Sequence, residues 1–351
     1  MIPLRLCVVL FATVAPLSGL PLRAQAQTPS TATQTPSTAT QTPSTATQTP
    51  STATQTIDTM NTIWGKHPGM RANHAKGVVV EGSFTPTPAA RALSKANIFA
   101  GPTVPVTVRF SDSTGLPTLP DGSSDANPHG MSIKFQPAGA GPVDVVTNSL
   151  AFFPVATGEE FLALLQALAA SGPDAPHPTK AEQFIAAHPA VLPAFGSATT
   201  PSSFAREIYN GIDAFILVNE AGARQPFRFR FVPVEGAEHL SQADAAKMQP
   251  DFLVDELPQH LDRGPVEFHA MAQLADPSDQ TKDPTQPWPE ERKLVDLGTI
   301  TLTRAVADQA AAQRALHYLP NVLTPGIEVS DDPLIDARVR SYVISFGRRA
   351  Q

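Results

Sequence analysis

PVTVRFSDS, residues 105–113, sets Val106, Val108 and Phe110 against Thr107, Arg109 and Ser111 in strict alternation, the signature of a strand with one face on a core. The same alternation recurs upstream in GVVVEGSFTP (77–86) and downstream in GMSIKFQ (130–136), VDVVT (143–147), AFILVN (214–219), FRFRFVPV (227–234), PVEFHAMAQL (265–274) and LVDLGTITL (294–302). That makes eight strands. An open sheet of this size leaves two unpaired edges and closure removes both, so a mostly antiparallel eight-stranded barrel is expected.

Helical periodicity interrupts the strands at 158–171 (GEEFLALLQALAAS), 179–187 and 241–248, where Ser241 can cap the start. A last helix is expected over 332–346. Asp332-Pro333 supplies an N-cap and first turn, and the run LIDARVRSYVISF places Arg338 and Tyr342 four apart on one face. The fold class is α+β: a barrel with flanking helices and a helix near the C-terminus.

Residues 1–26 read as a signal peptide, with Arg5 ahead of a short apolar run and Ala24-Gln25-Ala26 as the cleavage signal. The apolar run is too short to span a bilayer, so no stable membrane anchor is expected, and the destination is secreted or periplasmic. Residues 27–55 hold QTPSTAT in tandem, a tract with no large apolar or charged side chain, and are expected to be a disordered linker. One folded domain, 56–351, follows. Its stability rests on core and cofactor, because the single cysteine, Cys7, falls in the leader. Loss of Arg5 and Arg23 with that leader takes the formal charge from −7 to −9, which argues against nucleic acid or an anionic membrane as partner.

Four segments carry side chains suited to chemistry. RANHAKG (71–77) sets His74 at a strand mouth, where an imidazole can take and return a proton near neutral pH. VRFS (108–111) offers the Arg109 guanidinium to a carboxylate and the Ser111 hydroxyl to an imidazole. VTNSLAFF (146–153) puts the Asn148 amide ahead of two aromatics that can keep a pocket dry. In the last helix a phenolate at Tyr342 needs several kcal/mol of help, at about 1.4 per pKa unit, from a metal or from a cation such as Arg338. Taken singly, each has a plain alternative: a rim histidine, a surface ion pair, ordinary core, or an exposed i,i+4 pair.

In this order the segments resemble the haem catalase family. RANHAKG resembles its distal-histidine motif, VRFS a strand with a propionate-binding arginine, and ARVRSY the proximal R-x-x-x-Y motif. NPHGMSIKF (127–135) and LPNVLTPGIEVSDDPLI (319–335) are similar to the stretches between them. The likeness covers about 57–350 and is nearest to the compact catalase-related peroxidases. It implies haem b, with Tyr342 as iron ligand, His74 as acid/base and Asn148 as distal amide. It further implies Arg338 beside the phenolate, Ser111 beside the imidazole, Arg71 and Arg109 on the propionates, and Phe153 and Phe161 flanking the pocket. The implied reaction is reduction of hydrogen peroxide or organic peroxides by an external electron donor, with weak dismutation.

Two departures stand out. Aligned without a gap on Phe152-Phe153, the family's amide falls on Thr147, so either a local shift brings Asn148 into place or the amide is missing; the family's channel acid falls on Asn127. Two other functions share the sequence features: a catalase-fold enzyme that rearranges lipid hydroperoxides, and a β-barrel that binds a ligand without chemistry. The oligomeric state stays open, since large catalases use segments not matched here to build tetramers.

Overall fold

In the computed structural model of the chain, residues 50–349 are described; the expected signal peptide and nearly all of the repeat tract lie outside them. Ten strands form one sheet: β1 Gly77–Pro86, β2 Val104–Asp112, β3 His129–Phe135, β4 Val143–Asn148, β5 Tyr209–Asn210, β6 Phe215–Val218, β7 Arg224–Pro233, β8 Val266–Leu274, β9 Leu294–Ala305 and β10 Ile327–Val329. Successive antiparallel pairings run from β1 through β2, β3, β4, β5, β7, β8 and β9 back to β1. The sheet is therefore a closed barrel.

The expected eight staves are present, one of them in two pieces. Because β8 occupies one edge of β7 along Phe227–Pro233, β5 and β6 must share the other edge, as two halves of a stave interrupted at Gly211–Ala214. AFILVN is the half remote from β4. β10 pairs with β6 outside the ring.

Alternation sends Val106, Val108 and Phe110 of β2, Met131, Ile133 and Phe135 of β3 and Val143 and Val145 of β4 into the barrel core. Phe204, Tyr209, Phe231 and Phe268 complete the filling, and each such side chain contributes roughly 1.5–3 kcal/mol by leaving water. The intervening residues Arg109, Ser111, Gly130 and Asn148 face outward, where helices cover them.

Nine helices are present among the described residues: α1 Thr52–Trp64, α2 Pro88–Leu93, α3 Gly158–Ala169, α4 Lys180–Ala187, α5 Val191–Gly196, α6 Gln242–Ala245, α7 Phe252–Arg263, α8 Gln309–Ala315 and α9 Pro333–Arg349. α1 corrects the expected linker boundary, because folded chain starts within the last repeat and not at 56. Ser51 caps α1 through its hydroxyl, and Ala53, Thr56, Ile57 and Met60 form a buried stripe at helical spacing. The stripe faces α3 and α9: Ile57, Met60 and Leu165 share a cluster with Phe161 and Ile344. The helix expected over 241–248 is shorter, with Ser241 capping it. α7 was not anticipated, since Pro258 interrupts its pattern, yet Leu253, Leu257 and Leu261 line one buried face. Thr179 and Glu182 close a capping box on α4, and Asp332 accepts from Leu334 N at the start of α9 (2.9 Å). Among the described residues, no helix is long and apolar enough to cross a membrane.

Candidate functional site

The site forms where the outer wall of the barrel meets α3 and α9. Cross-strand register places Gly77, Ser111, Gly130, Asn148 and Asn210 in one row over five staves. His74 lies against this row, with Nδ1 3.1 Å from Ser111 Oγ. Gly130 makes the fit, because a Cβ there would stand 3.2 Å from two ring atoms of His74 and 3.0 Å from Ser111 Oγ.

Neighbours hold the His74 backbone in the left-handed region (φ 57°), which is costly for a non-glycine residue. Asn73 Oδ1 accepts from His74 N (2.9 Å), and Arg109 Nη2 donates to His74 O (2.8 Å). Two residues on, Lys76 Nζ reaches into the barrel end, bonding Asp121, Asp251 (3.0 Å) and Leu119 O (2.5 Å). Burial lowers the His74 imidazole to about 3, and the charges of Arg109, Arg71 and Arg338 add to this against an opposing backbone hydrogen bond with Asp112. The ring is thus neutral at pH 7. Its Nδ1 is engaged by Ser111, while Nε2 makes no hydrogen bond among the described residues.

The register also separates Thr147, onto which the family's amide falls in the ungapped alignment, from Asn148. Thr147 points into the barrel, opposite Met131, and donates Oγ1 to Met131 O (2.8 Å). Asn148 lies opposite Gly130 on the wall that carries His74, and its Oδ1 accepts from Leu150 N (2.9 Å). Asn127, an uncharged amide, accepts from Thr200 Oγ1 (3.4 Å), and Asp112 and Asp121 are fully buried around Lys76. Phe153 and Phe161 are partly buried and in contact (centroids 5.5 Å). Phe161 packs beside Ala72 and Ile344, so it joins the His74 loop to α9.

On α9, Arg338 Nε donates to Tyr342 Oη (3.2 Å) and its guanidinium lies over the same ring (5.7 Å). Arg338 Nη1 also bonds Asp213, a 2% exposed carboxylate carried by the break between β5 and β6. Burial by itself would lower the Arg338 guanidinium, but Asp213, Tyr342 and Asp332 hold it above its ordinary value. Burial and the Asp213 charge raise the Asp332 carboxyl to about 7. α9 packs close to α3 at Gly158, where a Cβ would come within 2.6 Å of Ala337 Cβ.

At the other end of α9, Arg349 joins Arg71 and Arg109 around one short segment. Arg71 and Arg349 both donate to Gln313 O (3.2 and 2.8 Å) and to Leu316 O (2.8 and 2.9 Å), and Arg109 Nε donates to Gln313 Oε1 (2.5 Å). Among the described residues, none of these three guanidiniums has a carboxylate within 4.0 Å. Burial lowers Arg71 well below its ordinary value, with help from Arg109 and Arg349, and lowers Arg109 and Arg349 to about 10 each.

The nine side chains expected at a site lie on the barrel wall, the loop before β1, the segment after β4, α3 and α9, and Arg349 and Asp213 bond to the same groups or residues as some of them. Arg349 carried a legible signal, standing seven residues after Tyr342 on the same helix face. Asp213 had none, since it lies in an irregular break. The donor set suits an iron porphyrin: a phenol oxygen for the metal, a buried cation cluster lacking an anion for the propionates, and a neutral imidazole beyond.

The sequence matches the family model described as Catalase over residues 28–349. A catalase-related peroxidase of Mycolicibacterium paratuberculosis is 35% identical over 293 residues, covering 82% of this chain and 92% of the relative. One of Synechococcus elongatus is 32% identical over 295 residues, covering 82% and 86%. Among solved structures, a fungal catalase superposes with a TM-score of 0.71 at 20% identity, over 81% of this chain and 60% of the other. A bacterial catalase gives 0.71 at 22% identity, over 81% and 58%. These two likenesses bear on the fold, and the chain spans about 60% of the length of those structures. The chain belongs to the catalase family, and it is accordingly a haem oxidoreductase acting on peroxide.

Proposed function

We propose that the chain is a secreted or periplasmic haem b peroxidase that reduces hydrogen peroxide or organic peroxides with an external electron donor, dismutation being a minor activity. The observation that carries this reading is a neutral His74 fixed by Ser111, with Nε2 unbonded among the described residues, together with the Arg338–Tyr342 hydrogen bond on α9. The names and lengths of the two catalase-related relatives favour peroxidase over efficient dismutation.

Tyr342 Oη would hold the iron, with Arg338 stabilising its phenolate, and Arg71, Arg109 and Arg349 would hold the propionates. Phe153 and Phe161 would cover the ring and exclude water. When bound, haem supplies the two-electron chemistry that breaks the peroxide O–O bond. His74 Nε2 accepts the proton of the attacking peroxide oxygen and returns it to the departing one, so no free hydroxide leaves. Asn148 donates an amide N–H to orient the peroxide. Two electrons and two protons from the donor then balance the products, one alcohol or water from each oxygen.

The test is turnover of purified protein with hydrogen peroxide and with a bulky organic peroxide, each with and without a donor. His74→Ala is expected to keep haem and its charge-transfer absorption yet lose roughly 10²–10⁴-fold in peroxide cleavage, and Tyr342→Phe to bind haem poorly. Because His74 titrates at about 3, kcat/KM should hold steady as pH falls below 6.5. Near-normal turnover in His74→Ala would end the assignment of that residue, and a rearranged lipid formed without donor would favour the hydroperoxide-rearranging alternative.

A further inference from the structure

We propose that Tyr318 is a further cofactor-binding residue, whose buried hydroxyl donates a hydrogen bond to a carboxylate seated among Arg71, Arg109 and Arg349. This inference rests on the haem reading above and adds a neutral donor to its propionate site. Tyr318 is 6% exposed, and its hydroxyl has no hydrogen-bond partner among the described residues. A buried hydroxyl is normally satisfied, since leaving it unpaired forfeits its hydration without return. The cations that act on this oxygen are Arg109 and Arg71, with Asp144 opposing. It therefore acts with Arg71 and Arg109, buried cations that have no carboxylate within 4.0 Å among the described residues.

The ring is held in that orientation from three sides. Leu316 O, two residues before it, accepts from Arg71 and Arg349 (2.8 and 2.9 Å). Asp144 accepts from Leu319 N (2.9 Å), and its own N–H donates to Val322 O (2.8 Å). Lys134 Nζ, bonded to Asp144 (2.5 Å), lies 5.3 Å from the ring centroid. Burial pushes the phenol up from its ordinary value, so the oxygen keeps its proton and acts as a donor. Of the groups haem presents, only its carboxylates combine negative charge with an acceptor oxygen.

The experiment compares the full-length apoprotein with Tyr318→Phe, titrating each with haemin and with iron etioporphyrin, whose alkyl groups replace the carboxylates. Hydrogen bonds to charged groups predict a roughly tenfold to hundredfold loss of haemin affinity in the variant, with etioporphyrin affinity unchanged. Equal loss for both porphyrins, or loss for neither, would overturn the proposal. If wild-type protein takes up neither porphyrin, the haem reading itself fails. Thermal unfolding of the apoprotein gives a second arm: the variant, relieved of an unpaired hydroxyl, is expected to melt at or above wild type, and a lower melting temperature would show that the hydroxyl already has a partner within the chain.

Discussion

Two arginine-rich regions flank α9 and are built on opposite principles. Toward its start, Arg338 faces Asp213 and Asp332, two buried carboxylates, and is held firmly charged. Around its end, Arg71, Arg109 and Arg349 face one another and a few carbonyls, and all three are lowered. The first region carries its own counter-ions, whereas the second has no carboxylate within 4.0 Å among the described residues. Burial makes both arrangements expensive when broken. Under the proposed function, the first tunes the Tyr342 phenol and the second captures the propionates.

The largest effect should come from opening the first region. Asp213→Asn leaves the Arg338 charge, 17% exposed, without its main partner and is expected to destabilise the apoprotein by about 3–5 kcal/mol in denaturant unfolding. A loss under about 1 kcal/mol would mean that the pair is effectively solvated. Arg349→Met makes the opposite test. It removes a cation that lacks an acid, so apoprotein stability should move by no more than about 1 kcal/mol while haem escapes to apomyoglobin at least ~10-fold faster. Equal damage to apoprotein and holoprotein would erase the distinction between the regions.

The last effect is a slope in pH. With Asp332 at about 7 in the folded chain and 3.8 as its ordinary value, the folded state keeps a proton that the unfolded state has lost between those limits. This contribution therefore weakens as pH rises from about 4 to about 7. Asp332→Asn should flatten that slope by up to one proton, as read from apoprotein unfolding at several pH values.

Much of this was legible before any coordinates. Alternation alone exposed every long stave, and strand parity put Arg109 and Ser111 on a common face. The i,i+4 rule joined Arg338 to Tyr342. What escaped depends on distance along the chain. Which wall face Asn148 and Thr147 take is open until the pairing of Asn148 with Gly130 is known, and Asp213 acquires meaning only when α9, more than a hundred residues later, lies against it. α1 escaped for a different reason: its first turn is written in repeat sequence, and Ala53 reads as apolar helix face only alongside Ile57 and Met60.

The gap between β5 and β6 has a consequence for how this barrel can vary. Both halves of the stave are locked to β7, at Tyr209↔Phe231 on one side and Phe215↔Phe227 on the other. The number of residues from 211 to 214 is therefore fixed together with the identity of Asp213. An insertion or deletion there would leave the wall zipped on both sides and carry Asp213 away from Arg338, so the length of this short irregular stretch is constrained by a side chain on the last helix.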